Sequence, residues 1–185
     1  MKTFNNIVTE GFSGALKQVV FRQMHGKTVV SYRPRKRKGV TTGLQQHVQF
    51  TFKQAAIYAR NILQDAAIYA EYLRKASPGV SPYNLALADF FRVPVVGDID
   101  SSNYTGAVGS TLSAVVMDDF RIIGVKARIQ KANGELLEEG NAVLQQNGLN
   151  WLYTCTAANN ELAGSVITFT ATDLPGHSIA NRKTL

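Results

Sequence analysis

The spacing of apolar residues changes period along this chain. Leu44, Val48, Phe52, Ala55, Ala56, Ala59, Ile62 and Leu63 recur at three- and four-residue steps, which predicts a helix of about five turns. Asp65 can cap a second helix, with Ala66, Tyr69, Tyr72, Leu73 and Ala76 on one stripe, and Ser77-Pro78-Gly79 stops it. Ser81-Pro82 reads as an N-cap followed by proline at the first helical position. Leu85, Ala88 and Phe91 form the inner face of a short third helix that ends before Val93-Pro94. Two or three short helices bury little surface alone, so this unit must pack on something else.

The stretches on either side read as β. Val19-Val20-Phe21 and Thr28-Val29-Val30 with Tyr32 predict a hairpin turned at His25-Gly26. A lone hairpin is marginal in water. Residues 1–16 show no period and read as an extended arm, while 34–43 read as a linker. Beyond Pro94, Val95-Val96-Gly97 reads as a linker or first strand. Strands are predicted near 111–117, 121–130, 135–144, 149–156, 164–172 and 178–184. Asn133-Gly134 and Asn147-Gly148 mark tight turns. Six or seven short strands at spacings of roughly 8–12 residues point to a sandwich of immunoglobulin-like type. The expected fold is α+β. An arm, hairpin and basic linker (1–43) and a helical region (44–93) precede an all-β immunoglobulin-like domain (94–185).

Two sets of residues carry a resemblance. Phe12-Ser13-Gly14-Ala15-Leu16, Val20-Phe21-Arg22 and Gly26-Lys27-Thr28-Val29-Val30-Ser31 resemble the opening of a family of uncharacterised bacterial proteins. In that family a basic hairpin and helical region precede an Ig-like domain. Ala114-Val115-Val116-Met117-Asp118-Asp119-Phe120 and Ala171-Thr172-Asp173-Leu174-Pro175-Gly176-His177 are similar to bacterial Ig-like repeats. Those repeats often carry an Asp-x-x-Gly-Asn turn between their last two strands; here His177 replaces the Asn. The resemblance implies an architecture and no activity.

Charge changes the picture more than composition does. The 185 residues sum to +7, but residues 1–92 hold 14 Lys/Arg against 4 Asp/Glu, and residues 93–185 hold 6 against 9. Arg22, Lys27, Arg33, Arg35, Lys36, Arg37 and Lys38 fall within 17 residues that contain no acid. Three readings of this stretch stay open. It can neutralise phosphates, with Tyr32 available for stacking on a base. It can dock on an acidic subunit surface, including the acidic half of another copy. Or it is a solvated linker.

Candidate chemistry is sparse. One cysteine excludes an internal disulfide and a Cys-based zinc site. His25, His47 and His177 lie in three separate segments without a partner at metal spacing. Cys155, mid-strand, reads as a buried and inert thiol. Gly-x-Ser-x-Gly, Walker and Gly-x-Gly-x-x-Gly patterns do not occur. Asp98, Asp100, Asn103, Asp118, Asp119 and Asp173 could meet at one end of a sandwich and hold Ca²⁺. The simpler reading is that Asp favours turns, and no calcium is expected there. Trp151, Tyr153 and Tyr104 could form a sugar platform if they faced solvent together, but core burial is the expected fate of that face.

No apolar run approaches the roughly 18 residues of a membrane span, and the opening Met1–Asn6 lacks a long apolar stretch. The expected setting is cytoplasmic synthesis, with a particle or filament as a destination. No cofactor and no enzymatic activity are expected. The expected role is a structural or assembly protein that self-associates, or docks on a filament, surface array or virion-like particle. Phe12, Leu16, Val19, Phe21, Val29 and Tyr32 are its expected contacts. Nucleic-acid binding through residues 33–38 is the alternative.

Overall fold

A computed structural model describes residues 2, 3, 10–24, 26–35 and 39–185. They fall into two compact units, residues 1–52 with 76–80 and residues 53–75 with 81–185. The boundary falls inside the first helix rather than at the basic linker.

The first unit is built on the predicted hairpin. Strands β3 (Val19–Met24) and β4 (Lys27–Tyr32) pair antiparallel with Met24 opposite Lys27, which leaves a two-residue turn. Gly26 supplies the positive φ (74°) that such a turn needs; His25 lies outside the described residues. The hairpin is not an orphan, and the reading of residues 1–16 as an arm is corrected in part. Strand β1 (Lys2–Thr3) pairs with β4, and β2 (Gly14–Leu16) pairs with β3, giving the order β1-β4-β3-β2. The physical reason is the open edge: each outer strand of a lone hairpin carries unpaired N–H and C=O groups, and the flanking chain satisfies them.

Register sorts the side chains. Leu16 lies opposite Val19, Val19 opposite Tyr32, and Phe21 opposite Val30, so these residues share one face. The Phe12 ring meets Phe21 edge-on with centroids 5.8 Å apart. Gln23 donates to the Phe12 carbonyl (2.9 Å) and to the Thr28 hydroxyl (2.8 Å), which holds residue 12 against the sheet. Arg22 opposite Val29 and Met24 opposite Lys27 define the other face.

Helix α1 (Gly43–Ile62) begins with a reciprocal cap at Thr42 and Gln45. The Gln45 amide donates to the Thr42 hydroxyl (3.4 Å), and the Thr42 amide to the Gln45 side-chain oxygen (3.2 Å). The other two caps follow the sequence. Asp65 accepts from the amides of Ala67 (2.8 Å) and Ile68 (3.2 Å) at the start of α2 (Ala66–Lys75). Ser81 accepts from the Asn84 amide (3.2 Å) ahead of α3 (Pro82–Asp89), with the proline in the first turn.

The second unit holds two antiparallel four-stranded sheets. One runs β5 (Val95–Asp100), β6 (Thr111–Met117), β10 (Asn150–Thr154), β9 (Val143–Leu144). The other runs β12 (Ser178–Thr184), β11 (Val166–Asp173), β7 (Ile122–Gln130), β8 (Leu136–Asn141). Residues 95–100 are thus a strand, not a linker. Inward residues of both sheets meet in one core: Leu112, Ala114 and Val116 from the first, Val125, Ile129, Ile167 and Phe169 from the second. Burying one such large side chain stabilises the fold by roughly 1.5–3 kcal/mol.

The continuous strand expected over 135–144 is two strands. Leu136–Asn141 pair with β7, whereas Val143 and Leu144 pair with β10 in the opposite sheet. The switch occurs at Ala142, which is buried and whose amide bonds the Val125 carbonyl (2.8 Å). Crossing between sheets gives each half of this segment a ladder partner.

The helical residues of this unit do find something to pack on. Ala59, Tyr72 and Ala86 form a small core with Phe120 and Leu174, which precede β7 and follow β11. Tyr72 stacks on Phe120 with centroids 3.7 Å apart and planes 6° from parallel. Lys75 donates to the Phe120 carbonyl (2.7 Å), and its ammonium sits 4.7 Å from that ring's centre.

Candidate functional site

Each unit contains one polar concentration of interest. In the first, Lys17 and Gln18 make the tight turn between β2 and β3, and the Arg33 amide donates to the Gln18 carbonyl at 2.7 Å. This bond brings the chain leaving β4 alongside the turn. Lys17, Gln18, Tyr32, Arg33, Pro34 and Arg35 line a pocket of about 500 Å³. Lys17 has φ +51°, a left-handed conformation that costs a non-glycine residue about 1–2 kcal/mol. Tyr32 is 82% exposed. No ion pair to Lys17, Arg33 or Arg35 is formed among the described residues.

Of the residues singled out for phosphate or partner contact, the structure gathers Arg33 and Arg35 at this pocket. Arg22 and Lys27 stand on the sheet face opposite Tyr32. Lys36, Arg37 and Lys38 lie outside the described residues. Of the expected assembly contacts, Phe12, Leu16, Val19, Phe21 and Tyr32 gather on one side of the sheet, with Phe12, Leu16 and Tyr32 exposed. Val29 is corrected: it is buried and belongs to the other face, because one residue of register reverses the side of the sheet. Lys17 was missed from sequence. Its signal is weak, since a lysine in a turn is ordinary until Arg33 is brought beside it.

In the second unit, Tyr58, Tyr72 and Asp89 meet beneath the helices. The Tyr72 hydroxyl donates to Asp89 Oδ2 (2.7 Å), and both residues are buried. Burial pushes the Asp89 pKa up to about 6. The Tyr72 hydrogen bond and Lys75 oppose this rise, whereas the charges of Asp118 and Asp173 add to it. Burial also pushes Tyr58 up to about 12. Tyr72 is raised as well, through burial, Tyr58 and Asp89. A cavity of about 310 Å³, lined by Lys75, Arg92, Asp119 and Phe120, adjoins Tyr72 and Asp89. Chemically, this cluster can hold a proton on Asp89 up to about pH 6.

The Asp-x-x-Gly-His segment is a self-capped turn. Asp173 Oδ1 accepts from the amides of Gly176 (2.8 Å) and His177 (2.6 Å), and its Oδ2 lies 2.7 Å from His177 Nδ1. The His177 ring thus bonds the same carboxylate that accepts from its own amide. The six residues considered for calcium do not converge. Antiparallel pairing sets Val95 against Met117 and Asp100 against Ser113, so Asp118 and Asp100 sit toward opposite ends of the strands. Asp118 caps the turn at Phe120 and Arg121, Asp119 pairs with Arg92, and Asp100 accepts from the Ser102 amide. No group of three potential metal ligands occurs among the described residues.

The sugar platform does not form either. Tyr104 and Tyr153 are buried, with the Tyr104 hydroxyl accepting from Asn159 (3.1 Å) and the Tyr153 hydroxyl donating to Glu138 (2.9 Å). Trp151 packs against the core and lines an open groove of about 920 Å³ with Val95, Met117, Leu149 and Arg121. Cys155 is buried, and desolvation pushes its thiol up to about 11, far from a reactive thiolate.

No protein-family model matches the chain, and no curated protein matches it. Among solved structures, CopC from Methylosinus trichosporium OB3b is similar over 49% of this chain and 88% of its own, at 15% identity and a TM-score of 0.36. An engineered protein is similar over 56% of this chain and 25% of its own, at 16% identity and a TM-score of 0.36. At these values neither likeness carries an argument. No helix among the described residues is long and apolar enough to cross a membrane.

Proposed function

We propose that this is a structural protein that self-associates through its N-terminal unit and displays an immunoglobulin-like domain. The observation that carries the reading is the first half of α1. Ala55 and Ala59 are buried, and Leu44 and Val48 continue the same helical stripe toward the N-terminus. Yet Leu44 is 82% and Val48 65% exposed. Phe12 and Leu16 add exposed apolar area on the hairpin sheet. Exposed apolar groups in register along an element mark an interaction surface. A second copy suits it, because the flanking residues are basic and residues 93–185 carry an acidic excess.

Strand order supports the immunoglobulin-like part. Lettered along the chain from β5 as A, B, C, C′, D, E, F and G, the two sheets run A-B-E-D and G-F-C-C′. Sheets of A-B-E-D and C-F-G strands are those of immunoglobulin domains.

Light scattering across a concentration series tests the assembly reading. The protein should form oligomers at high concentration, and a Leu44→Gln/Val48→Gln double variant should remain monomeric with an unchanged circular dichroism spectrum. A strictly monomeric native protein, or assembly indifferent to both substitutions, would refute it.

A second reading, nucleic-acid binding through the basic stretch, is favoured by one observation. From Gly11 to Gln64 the chain contains ten Lys/Arg and no Asp or Glu, so the pocket at Arg33 and Arg35 has no acid nearby in sequence. A mobility-shift series with Arg33→Ala/Arg35→Ala tests it. Binding at low salt should weaken markedly in the variant; absence of binding removes the reading.

A further inference from the structure

We infer that the pocket between the β2–β3 turn and the chain leaving β4 takes single-stranded nucleic acid, with an unpaired base on Tyr32 and phosphates on Lys17, Arg33 and Arg35. The inference rests on the second reading above and narrows it to a ligand class. Three observations carry it.

The first is the composition of the wall. Three cations and one aromatic ring surround a pocket of about 500 Å³. That is the pairing used for single strands: cations follow the backbone, and a ring offers its face to a base. The second is the exposure of the ring. At 82% exposed, Tyr32 adds little to the packing of its own sheet and can receive a base. In a duplex both faces of each internal base are already stacked, so only a single strand can use it. The third is pre-organisation. The Arg33 amide is bonded to Gln18, Pro34 fixes φ at its own position, and Lys17 is held in a left-handed turn. The segment that presents the cations is therefore anchored at the end of the inner strands, which lowers the ordering cost of binding.

Fluorescence anisotropy on the full chain tests this, using labelled 12-nucleotide dT and U strands and a DNA duplex of equal length. Single strands should bind more tightly than the duplex. Three phosphate contacts predict a slope of log K against log salt of about −2. Tyr32→Ala should weaken single-strand binding roughly tenfold and leave duplex binding unchanged, and Tyr32→Trp should restore it. Lys17→Ala should make the salt slope shallower by about 0.7. Equal affinity for strand and duplex, with no effect of Tyr32→Ala, would overturn the inference while leaving phosphate binding intact. No binding to either at low salt would remove both.

Discussion

Replacing Asp89 by Asn should remove a defined part of the pH dependence of stability. The carboxyl is 4% exposed and its pKa rises from 3.8 to about 6, chiefly through burial. The folded protein therefore binds more protons than the unfolded chain between those values. The stabilising contribution of the protonated carboxyl is complete below about pH 4 and is lost as pH rises through 6. At about 1.4 kcal/mol per pH unit, the full difference is about 3 kcal/mol. Asparagine carries no charge at any of these pH values, and its carbonyl can still accept from the Tyr72 hydroxyl.

Urea unfolding of both proteins at several values from pH 4 to 8 measures this. The single tryptophan, Trp151, belongs to the same unit as Asp89 and provides the signal. Other titrating groups are common to both proteins, so the difference between the two curves isolates Asp89. That difference should shift in favour of the variant by about 2–3 kcal/mol between pH 4 and 7, and stay flat above. Parallel curves across the whole range would show that Asp89 titrates normally and that its burial carries no electrostatic cost.

Glu138 should behave in the opposite sense. Burial alone would raise its pKa, but bonds from the Thr156 amide and hydroxyl, Tyr153 and the Ala157 amide hold it low. Its contribution is present above the unfolded value and lost as pH falls through the folded one; Glu138→Ala should destabilise by about 3 kcal/mol in urea at pH 7 and flatten the acid limb. Gly106→Ala should lower the melting temperature sharply, by about 2–3 kcal/mol of stability, because φ is +80° and a Cβ would lie 2.4 Å from the Asn159 carbonyl oxygen. Ser81→Ala should cost about 1 kcal/mol by calorimetry through the lost cap on α3. Cys155 should react with a thiol reagent at pH 8 only as fast as the protein opens, and fast labelling of the native state would contradict its burial.

Much of the local structure was legible in the sequence. Asp65, Ser81-Pro82 and the Asn-Gly turns act on neighbours within four residues, so their effect needs no tertiary information. The alternation in Ile123, Val125, Ala127 and Ile129 marks an inward face, and Val125, Ala127 and Ile129 are buried, whereas Ile123, at the start of the strand, is 55% exposed. Three things were not legible. Strands β1 and β2 are too short and too polar in part to show a period; they form because the hairpin edges were open. The break at Ala142 depends on which sheet each half meets. The Asp residues looked like one cluster because composition carries no direction, and antiparallel pairing sent them to different ends.

The candidate sites divide in the same way. By itself the sequence determined an acid-free basic stretch, an adjacent tyrosine, and a single cysteine that forms no internal disulfide. These follow from residue identity and from adjacency along the chain. Only the tertiary structure decided that Lys17 joins Arg33 and Arg35, that Arg22 and Lys27 do not, and that Asp89 lies under Tyr72. Those outcomes depend on strand register and on burial. Register is set by pairing between distant segments, and a pKa by the dielectric that packing creates around a charge.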